Sequence, residues 1–208
     1  MPRASEERTS ARREEIVDAC ENLYQTMRFE DVTLKQIGAA TTLTRTAIYS
    51  YFQTKEEIFL ALLQREYSKW IAELGEIEKS KVKFTAPKLA GMLARSLQNR
   101  VQLLKLLSMN LYAIEENSRD ANLIEFKKVY KASVDAVDRC FRKLRPKAAP
   151  AESYDFTYQF FPFIYGIYPY VFPSDKQIRA MKTAGMKLKK RTVYKLAYPA
   201  ILNLLEKK

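Results

Sequence analysis

One short stretch near the start of the chain carries residues whose types and spacing suggest a specific chemistry. Helical spacing places five small or hydrogen-bonding side chains on one face: Arg45, Thr46, Ala47, Tyr49 and Ser50. A long guanidinium beside short side chains suits contact with base edges, because arginine donates two hydrogen bonds to guanine and small neighbours let a helix enter the major groove. Tyr49 and Lys55 flank this face and can reach phosphates, which position a protein without reading sequence. The pattern predicts binding to double-stranded DNA.

The sequence contains few of the residues that catalysis or metal binding commonly requires. The 208 residues include no histidine, which removes the commonest general base and the commonest metal ligand together. Two cysteines cannot complete a zinc site without histidine, and five glycines provide no glycine-rich phosphate loop. We therefore expect no catalytic residue, no metal and no cofactor. An enzyme with an incidental DNA-binding module is the alternative, and turnover of a candidate ligand would favour it.

Two helices must come before the candidate surface. Apolar residues at helical spacing between positions 10 and 27 predict one amphipathic helix. Thr33 followed by Gln36 is a capping-box pattern, in which each residue hydrogen-bonds the backbone of the other. It predicts a second, short helix that ends at Ala39 or Ala40, followed by a turn.

Two further helices present the surface and lead away from it. Thr44 is a suitable N-cap for a third helix over residues 45–52, and Thr54 with Glu57 opens a long fourth helix. Four apolar residues are placed to form a small core between the first three helices: Ile37, Leu43, Ile48 and Phe52. Short helices of this kind predict a helix-turn-helix module followed by a connecting helix.

The same stretch resembles the TetR/AcrR family of transcriptional regulators. That family has a Thr-capped helix, a turn, a short recognition helix ending in Tyr-x-Tyr-Phe, then x-Ser/Thr-Lys-Glu-Glu and a long helix. Here these elements are Thr33, the run Tyr49-Ser50-Tyr51-Phe52 and the run Thr54-Lys55-Glu56-Glu57-Ile58. The resemblance covers roughly residues 10–58, about a quarter of the chain, and its motifs are specific.

The resemblance implies roles for individual residues. The positions that contact the DNA backbone in the family are Thr33, Thr44, Tyr49 and Lys55, and those that face the bases are Arg45, Thr46 and Ala47. Two departures occur: Thr42 stands in the turn where the family usually has glycine, and Ser50 stands where it usually has histidine. The first disfavours a left-handed turn, and the second weakens one phosphate contact.

The remainder of the chain predicts an all-α protein with two domains, residues 1–55 and 56–208. Thr85 and Pro87 open a helix, and apolar residues predict another over 101–114 and a long one over 121–144. Residues 146–150 form a loop. The aromatic run 156–172 predicts either a helix kinked at its prolines or two short helices. The basic stretch 174–190 predicts an exposed loop with a helical turn. Residues 192–205 predict the last helix.

The resemblance also implies that the C-terminal domain binds an inducer and forms a homodimer through its last two helices. We expect the pair to be built from the helix around 154–172 and the one at 192–205, with Ile201 and Leu205 facing the partner. Ligand entry would tilt the fourth helix and change the spacing of two recognition helices on a near-palindromic operator. We expect a repressor that releases this operator when the ligand binds, and activation is the alternative that the sequence does not separate from repression.

Aromatic residues of the C-terminal domain, with a methionine and an asparagine beside them, are candidates for lining a ligand site. The candidates are Met109, Asn110, Tyr112, Phe126, Tyr130, Phe160, Phe163 and Tyr168. Large rings with a few polar tips suit a hydrophobic or aromatic small molecule, but packing in the core or at a dimer contact is the alternative for each ring. A further alternative is that the aromatic run binds a protein partner.

Charge is unevenly distributed along the chain. The net charge is +12, yet residues 1–55 hold eight basic and eight acidic residues, whereas residues 173–208 hold ten basic and two acidic. Residues 187–191 are either an exposed basic loop or a site for an acidic partner or anionic ligand. Glu115, Glu116 and Asp120 are either a solvated helix end or an attraction for a cationic ligand.

Cysteine and hydropathy patterns bear on location. Cys20 and Cys140 lie far apart in amphipathic patterns, which predicts buried free thiols. No stretch approaches the roughly 18 consecutive apolar residues of a membrane helix, and the charged start lacks the apolar core of a secretory signal. We expect a cytoplasmic protein with no membrane segment.

Overall fold

The computed structural model describes residues 2–109, 111–187 and 189–206. These residues form α-helices and one 3-10 turn, and none of them lies in a strand, which confirms the predicted all-α class. The helices are α1 (Pro2–Thr26), α2 (Leu34–Ala39), α3 (Arg45–Tyr51), α4 (Lys55–Lys79), α5 (Ala86–Asn99), α6 (Val101–Leu107), α7 (Leu111–Glu116), α8 (Asp120–Leu144), α9 (Pro150–Val171), α10 (Asp175–Thr183) and α11 (Val193–Glu206); the 3-10 turn is Phe29–Asp31.

The chain folds into two compact units. The described residues of the N-terminal unit lie within Met1–Arg65 and Met109–Val129, and those of the C-terminal unit within Glu66–Ser108 and Tyr130–Lys208. Helices α4 and α8 each contribute residues to both units. The N-terminal unit therefore takes in more of the chain than the predicted domain of residues 1–55.

The N-terminal unit has a core made by α1 and the first half of α4. Tyr24 and Phe29 both meet the ring of Phe59 edge-on, with ring centroids 5.1 and 4.8 Å apart. Ile16 and Cys20 are fully buried on the same face of α1. Such edge-to-face ring pairs contribute about 0.5–1.5 kcal/mol each beyond the area they bury.

The C-terminal unit is built around α5, α9 and α11. Helix α11 packs along α5 and also against α9, while α6 packs against α9. The apolar face of α11 is buried within its own chain: Val193, Ala197, Ile201 and Leu205. The prediction that Ile201 and Leu205 face a partner subunit was therefore wrong, because α5 and α9 already cover them.

Aromatic rings fill the centre of the C-terminal unit. Neighbouring ring centroids lie 5.4 to 6.3 Å apart within one connected group: Tyr67, Trp70, Tyr130, Phe160 and Phe161. The indole N–H of Trp70 donates to the hydroxyl of Ser96 at 3.1 Å, so the one polar atom of this ring is satisfied. These rings form a packed core. Core packing was the predicted alternative to ligand binding for each aromatic candidate, and two of those candidates, Tyr130 and Phe160, belong to this group.

Two segments differ from the sequence prediction. The expected helix over 101–114 is two helices, because α6 ends at Leu107 and α7 begins at Leu111. The stretch expected to be mostly loop contains the nine-residue helix α10. For the aromatic run, the structure selects one of the two predicted alternatives, because α9 continues through Pro162 and Pro169 as a single helix.

The two cysteines are buried free thiols, as predicted. Burial raises the pKa of each thiol to about 12, so neither is a thiolate near neutral pH. None of the helices within the described ranges combines the length and apolar composition needed to cross a lipid bilayer.

Candidate nucleic-acid interface and ligand-binding residues

Threonine caps fix the starts of α2 and α3. The Thr33 hydroxyl accepts the backbone N–H of Gln36 at 3.3 Å, and the Gln36 side chain accepts the N–H of Thr33 at 2.9 Å, which completes the predicted capping box. The Thr44 hydroxyl accepts the N–H of Ala47 at 3.2 Å. Both hydroxyls thus satisfy backbone donors that the first helical turn leaves free.

A small core holds α2 against α3. Ile37, Ile48 and Phe52 are buried, and Leu43 is half-buried, close to the predicted arrangement. A Cβ atom on Gly38 would lie 3.1 Å from Cδ1 of Ile48, so a larger residue at this position would need the Ile48 side chain to shift by a few tenths of an ångström. The guanidinium of Arg13 in α1 lies 4.6 Å from the ring centroid of Phe52 and covers the core from the other side.

The turn between α2 and α3 is held by a residue of α1. Both the backbone N–H and the hydroxyl of Thr42 donate to Oε1 of Glu15, at 2.5 and 2.7 Å. These bonds lower the pKa of the Glu15 carboxyl. Apart from glycine, no described residue has a positive φ, so the turn is made without the left-handed conformation that glycine would permit. Thr42 replaces that conformational freedom with a side-chain contact.

The outward face of α3 carries the predicted DNA-reading residues. Arg45, Thr46, Tyr49 and Ser50 are exposed and Ala47 is half-buried, while Ile48 on the opposite face is fully covered. The guanidinium of Arg45 donates to the Tyr49 hydroxyl at 3.3 Å, and the Ser50 hydroxyl donates to the carbonyl of Ala47 at 2.6 Å. Arg45 is the single long cationic side chain of this face.

Lys55 makes contacts within the protein. Its ammonium donates to the carbonyl of Phe29 at 2.8 Å and lies 4.3 Å from the centroid of the Phe29 ring. The side chain is half-buried. Lys55 therefore ties the start of α4 to the 3-10 turn, a structural role that its sequence position did not reveal.

An ion pair joins the start of α4 to the residue before α8. The side chain of Glu57 has no exposed surface, whereas that of Arg119 is 41% exposed. Oε1 of Glu57 accepts Nε of Arg119 at 2.6 Å, and Oε2 accepts Nη2 at 2.8 Å. Nη2 also donates to the carbonyl of Tyr51, the last residue of α3, at 3.0 Å. We call this pair, with its bonds to the backbone, the Glu57–Arg119 latch.

The backbone strengthens the latch. The N–H groups of Gln53 and Arg119 donate to the Glu57 carboxylate at 2.7 and 3.1 Å, and the Thr54 hydroxyl donates to the carbonyl of Asn117 at 3.0 Å. Burial by itself raises the pKa of Glu57, but the hydrogen bonds from Arg119 and Gln53 outweigh it, so the pKa is lowered. The carboxylate is therefore ionised at neutral pH, and it fixes the end of the recognition helix to residues 117–119.

The predicted ligand-binding residues that the structure describes are distributed over both units. Met109, Tyr112 and Phe126 belong to the N-terminal unit, where Tyr112 is largely exposed and Phe126 is buried. Asn110 lies outside the described residues.

The other four candidates belong to the C-terminal unit. Tyr130 and Phe160 are part of its aromatic core, Phe163 is half-buried, and Tyr168 packs on Phe172 with ring centroids 4.9 Å apart. The acidic candidates also have ordinary surroundings, since Glu115 pairs with Lys127 at 2.7 Å.

A large groove lies elsewhere in the C-terminal unit. Its volume is about 1350 Å³, and it is lined by the end of α9, by α10 and by the segment leading into α11. None of the seven predicted ligand-binding residues that the structure describes lines it. The sequence raised only its basic part, residues 187–191, as a possible site for an acidic partner or anionic ligand. The lining residues of α10 were missed, because the capping box at Ser174 and Gln177 that begins this helix lies within a strongly basic stretch. Within the described part of the chain, no group of three or more Cys, Asp or Glu side chains could hold a metal ion.

These features define an all-helical DNA-binding protein of the helix-turn-helix class with a separate C-terminal helical unit. Residues 16–62 match the family described as bacterial regulatory proteins, tetR family, and residues 64–194 match the tetracyclin repressor-like, C-terminal domain. The chain belongs to the TetR family of transcriptional regulators.

Comparison with individual proteins supports the same fold. A TetR-family regulator from Mesorhizobium loti MAFF303099 has a TM-score of 0.61 at 15% identity, with 95% of this chain and 96% of that chain covered. The fatty acid degradation regulator FadR of Bacillus halodurans has a TM-score of 0.57 at 15% identity, covering 93% and 97%. SmeT, the repressor of the Stenotrophomonas maltophilia multidrug efflux pump SmeDEF, has a TM-score of 0.53 at 18% identity, covering 93% and 87%.

One relative is similar in sequence over a shorter stretch. The HTH-type transcriptional repressor Rv1474c of Mycobacterium tuberculosis is 28% identical over 72 residues. This match covers 35% of the present chain and 38% of the relative.

Proposed function

We propose that this protein is a cytoplasmic, ligand-responsive repressor. Two subunits bind a near-palindromic operator in double-stranded DNA and leave it when a small hydrophobic or aromatic molecule binds the C-terminal unit. The observation that carries the proposal is the outward face of α3, where one exposed arginine stands among short side chains on a helix whose other face is fixed by a core. SmeT and Rv1474c, whose names describe repressors, support the direction of regulation.

In this proposal the residues of the recognition region divide into two roles. Arg45, with Thr46 and Ala47 beside it, reads base edges, because a guanidinium can donate two hydrogen bonds to guanine while the small residues permit close approach. Thr33, Thr44, Tyr49 and Ser50 position the helix against phosphates. Lys55 contributes to positioning through its bond to the Phe29 carbonyl as well as through its charge.

A homodimer is proposed on the basis of an exposed aromatic stripe along α9. Tyr154 and Tyr158 are 62% and 68% exposed and stack on each other with ring centroids 5.4 Å apart. Pro162 and Gly166 continue the stripe at intervals of four residues and are also exposed. A two-fold axis through such a surface pairs it with itself. A near-palindromic operator then offers the two recognition helices half-sites in major grooves roughly 34–36 Å apart.

Ligand and DNA binding are coupled in this scheme through the position of α3. The Glu57–Arg119 latch fixes the end of α3 to the residue before α8, a helix that continues to Leu144. A ligand that favours one arrangement of these helices changes operator affinity, and DNA changes ligand affinity by the same factor. Coupling free energies of this kind are typically about 1–3 kcal/mol.

The experiment that tests DNA reading begins with selection of bound genomic fragments to obtain the operator. Titrations then compare wild type with Arg45→Ala on this operator and on its single-base variants, at several salt concentrations. We expect Arg45→Ala to cost about 1–3 kcal/mol per half-site and to relax preference at one base pair. Lys55→Ala should weaken all sequences about equally, because it reads no base.

Arg28→Ala is the matched control. This arginine is in the same unit and highly exposed, but it pairs locally with Asp31 at 2.9 Å away from α3. The Arg28→Ala substitution removes the same charge as Arg45→Ala and should leave the preference for particular bases unchanged. Equal weakening of every sequence by Arg45→Ala would contradict the assignment of base reading to that residue, and failure to select any DNA fragment would contradict the function as a whole.

A further inference from the structure

The groove of the C-terminal unit has an apolar lining with a distinct composition. About half of its residues are apolar: Val101, Pro169, Tyr170, Val171, Phe172, Pro173, Ile178, Met181, Met186 and Val193. Tyr170, Phe172 and Met186 are among the large hydrophobic residues that remain exposed in this chain. An exposed apolar surface inside a concave site marks a place where a partner or ligand is bound.

The charged residues of the groove are all of one sign. Five cationic residues line it and no acidic residue does: Lys182, Lys187, Lys189, Lys190 and Arg191. None of them forms an ion pair with a carboxylate among the described side chains. Some basic residues elsewhere in this unit are paired, as Arg139 is with Glu78 and Arg100 with Glu73. The groove therefore has a positive potential that its own chain does not neutralise.

The wall formed by α10 is fixed at both ends. Ser174 and Gln177 form a capping box, with bonds of 2.8 and 3.3 Å. At the other end Gly185 has a φ of +71°, the N–H of Gly185 donates to the Lys182 carbonyl at 3.0 Å, and the N–H of Met186 donates to the Met181 carbonyl at 2.9 Å. This is a Schellman motif, which requires a left-handed residue after the helix.

The fixed turn sets the relation between the apolar and cationic parts. Ile178 and Met181 lie one helical turn apart on the α10 wall, and the motif brings Met186 back beside Met181. Lys182 and Lys187 follow these residues directly in sequence on either side of the turn. The groove thus places an apolar strip next to a cluster of ammonium groups.

We propose that this groove binds an amphipathic anion, a small molecule with an apolar chain or ring system and a carboxylate or phosphate head. The apolar part lies along α10 and the end of α9, and the head receives charge-assisted hydrogen bonds from the lysines and Arg191. The lysine stems add apolar contact while their ammonium groups remain at the rim. That such a molecule is the inducer rests on the proposed function, whereas its binding does not.

Calorimetric titration tests the binding with four probes of equal chain length below their micelle concentrations. We expect dodecanoate or dodecyl phosphate to bind, and dodecanol and dodecyltrimethylammonium to bind at least tenfold more weakly. Preference between the two anions identifies the head group. Inorganic phosphate that binds as tightly as dodecyl phosphate would overturn the proposal, because the apolar strip would then contribute nothing. Binding to phosphatidylglycerol vesicles without binding of any monomeric probe would also overturn it.

Variants locate the site. Replacing Lys182, Lys187 and Arg191 together by glutamine should lower the affinity for the preferred dodecyl anion at least tenfold. The matched control replaces three other exposed lysines of the same unit by glutamine, with the same change of charge: Lys81, Lys83 and Lys88. Equal weakening by both triple variants would overturn the proposal, because it would reduce the effect to net charge.

Two further measurements separate this inference from the proposed function. Ile178→Asn should weaken dodecanoate at least tenfold while leaving the affinity for inorganic phosphate unchanged, and an unchanged dodecanoate affinity would overturn the apolar part. Operator release is measured in parallel. If an anion binds in the groove and the operator is not released, the result supports the groove as a binding site and contradicts the proposal that its ligand is the inducer. Operator release by a neutral aromatic compound, with no anion binding, supports the switch and overturns the groove.

Discussion

Breaking the Glu57–Arg119 latch should loosen the recognition helix without touching any residue that faces DNA. Arg119→Ala removes two of the four hydrogen bonds that the Glu57 carboxylate accepts, together with the bond from Arg119 to the Tyr51 carbonyl. Glu57→Gln keeps the shape but removes the charge, and one of its amide hydrogens then faces a donor. Both variants disturb the junction between α3 and α4.

The magnitude follows from the burial of the two partners. Removing one side of a fully buried ion pair costs about 3–5 kcal/mol, because the other charge is left without a partner. Glu57 has no exposed side-chain surface, but Arg119 is 41% exposed, so water can enter where the guanidinium was. We therefore expect a loss of about 2 kcal/mol for Arg119→Ala. The coupling energy between the two substitutions should be about 1–2 kcal/mol at neutral pH.

The pH dependence gives the coupling a signature. Because the folded-state pKa of Glu57 is lowered, the latch stabilises the protein above the ordinary carboxyl pKa and loses this contribution as the pH falls through the lowered value. A double-mutant cycle of Glu57→Gln and Arg119→Ala, followed by urea unfolding with circular dichroism, should show constant coupling at neutral pH that disappears in acid. Hydrogen exchange of the Gln53 amide, which donates to Glu57, reports the same loss locally.

An exposed ion pair supplies the control. Arg139 and Glu78 are joined at 2.8 Å, but their side chains are 46% and 30% exposed, so Arg139→Ala should cost less than about 1 kcal/mol. The reasoning is refuted by a neutral-pH coupling between positions 57 and 119 below about 0.3 kcal/mol, the range of independent sites. It is refuted equally by a coupling that survives protonation of the carboxyl.

Two other predictions concern the dimer and the groove. Tyr154→Lys with Tyr158→Lys should convert a dimer to a monomer in sedimentation velocity at micromolar concentration, whereas Tyr112→Lys, at an exposed tyrosine of the other unit, should not; a monomeric wild type would contradict the dimer. Gly185→Ala should destabilise the C-terminal unit by about 1 kcal/mol in urea unfolding, because alanine disfavours a φ of +71°. Gly75→Ala, in a helix with open space around the glycine, should instead stabilise by about 0.5–1 kcal/mol, and the same sign for both variants would contradict the argument.

The fold followed from local signals where these were strong. Thr33, Thr44 and Thr85 each cap a helix in the structure, because a hydroxyl at the right spacing satisfies nearby N–H groups whatever the tertiary context. Helix α9 is a different case. Proline signals a break, but apolar residues on both sides of Pro162 are buried in one core, and this packing keeps the helix continuous.

The site could be predicted only in part, for a related reason. The outward face of α3 is a property of seven consecutive residues, so periodicity was enough to identify it. The partners of Glu57 and Thr42 lie 62 and 27 positions away, and no local pattern indicates such pairs. The ligand-binding candidates were chosen for their rings and a few polar or apolar neighbours. A ring alone does not distinguish a ligand site from a core, and those of Tyr130 and Phe160 pack with other rings.

The bond from Thr42 to Glu15 limits how far the DNA-reading segment can be treated as a movable module. A glycine in a turn permits a left-handed backbone without steric cost, whereas this turn is held by hydrogen bonds to a carboxylate on α1. A chimaeric regulator that receives residues 33–52 alone would inherit the base-facing side chains but not the angle between α2 and α3. A transplant that preserves operator choice has to begin before Glu15.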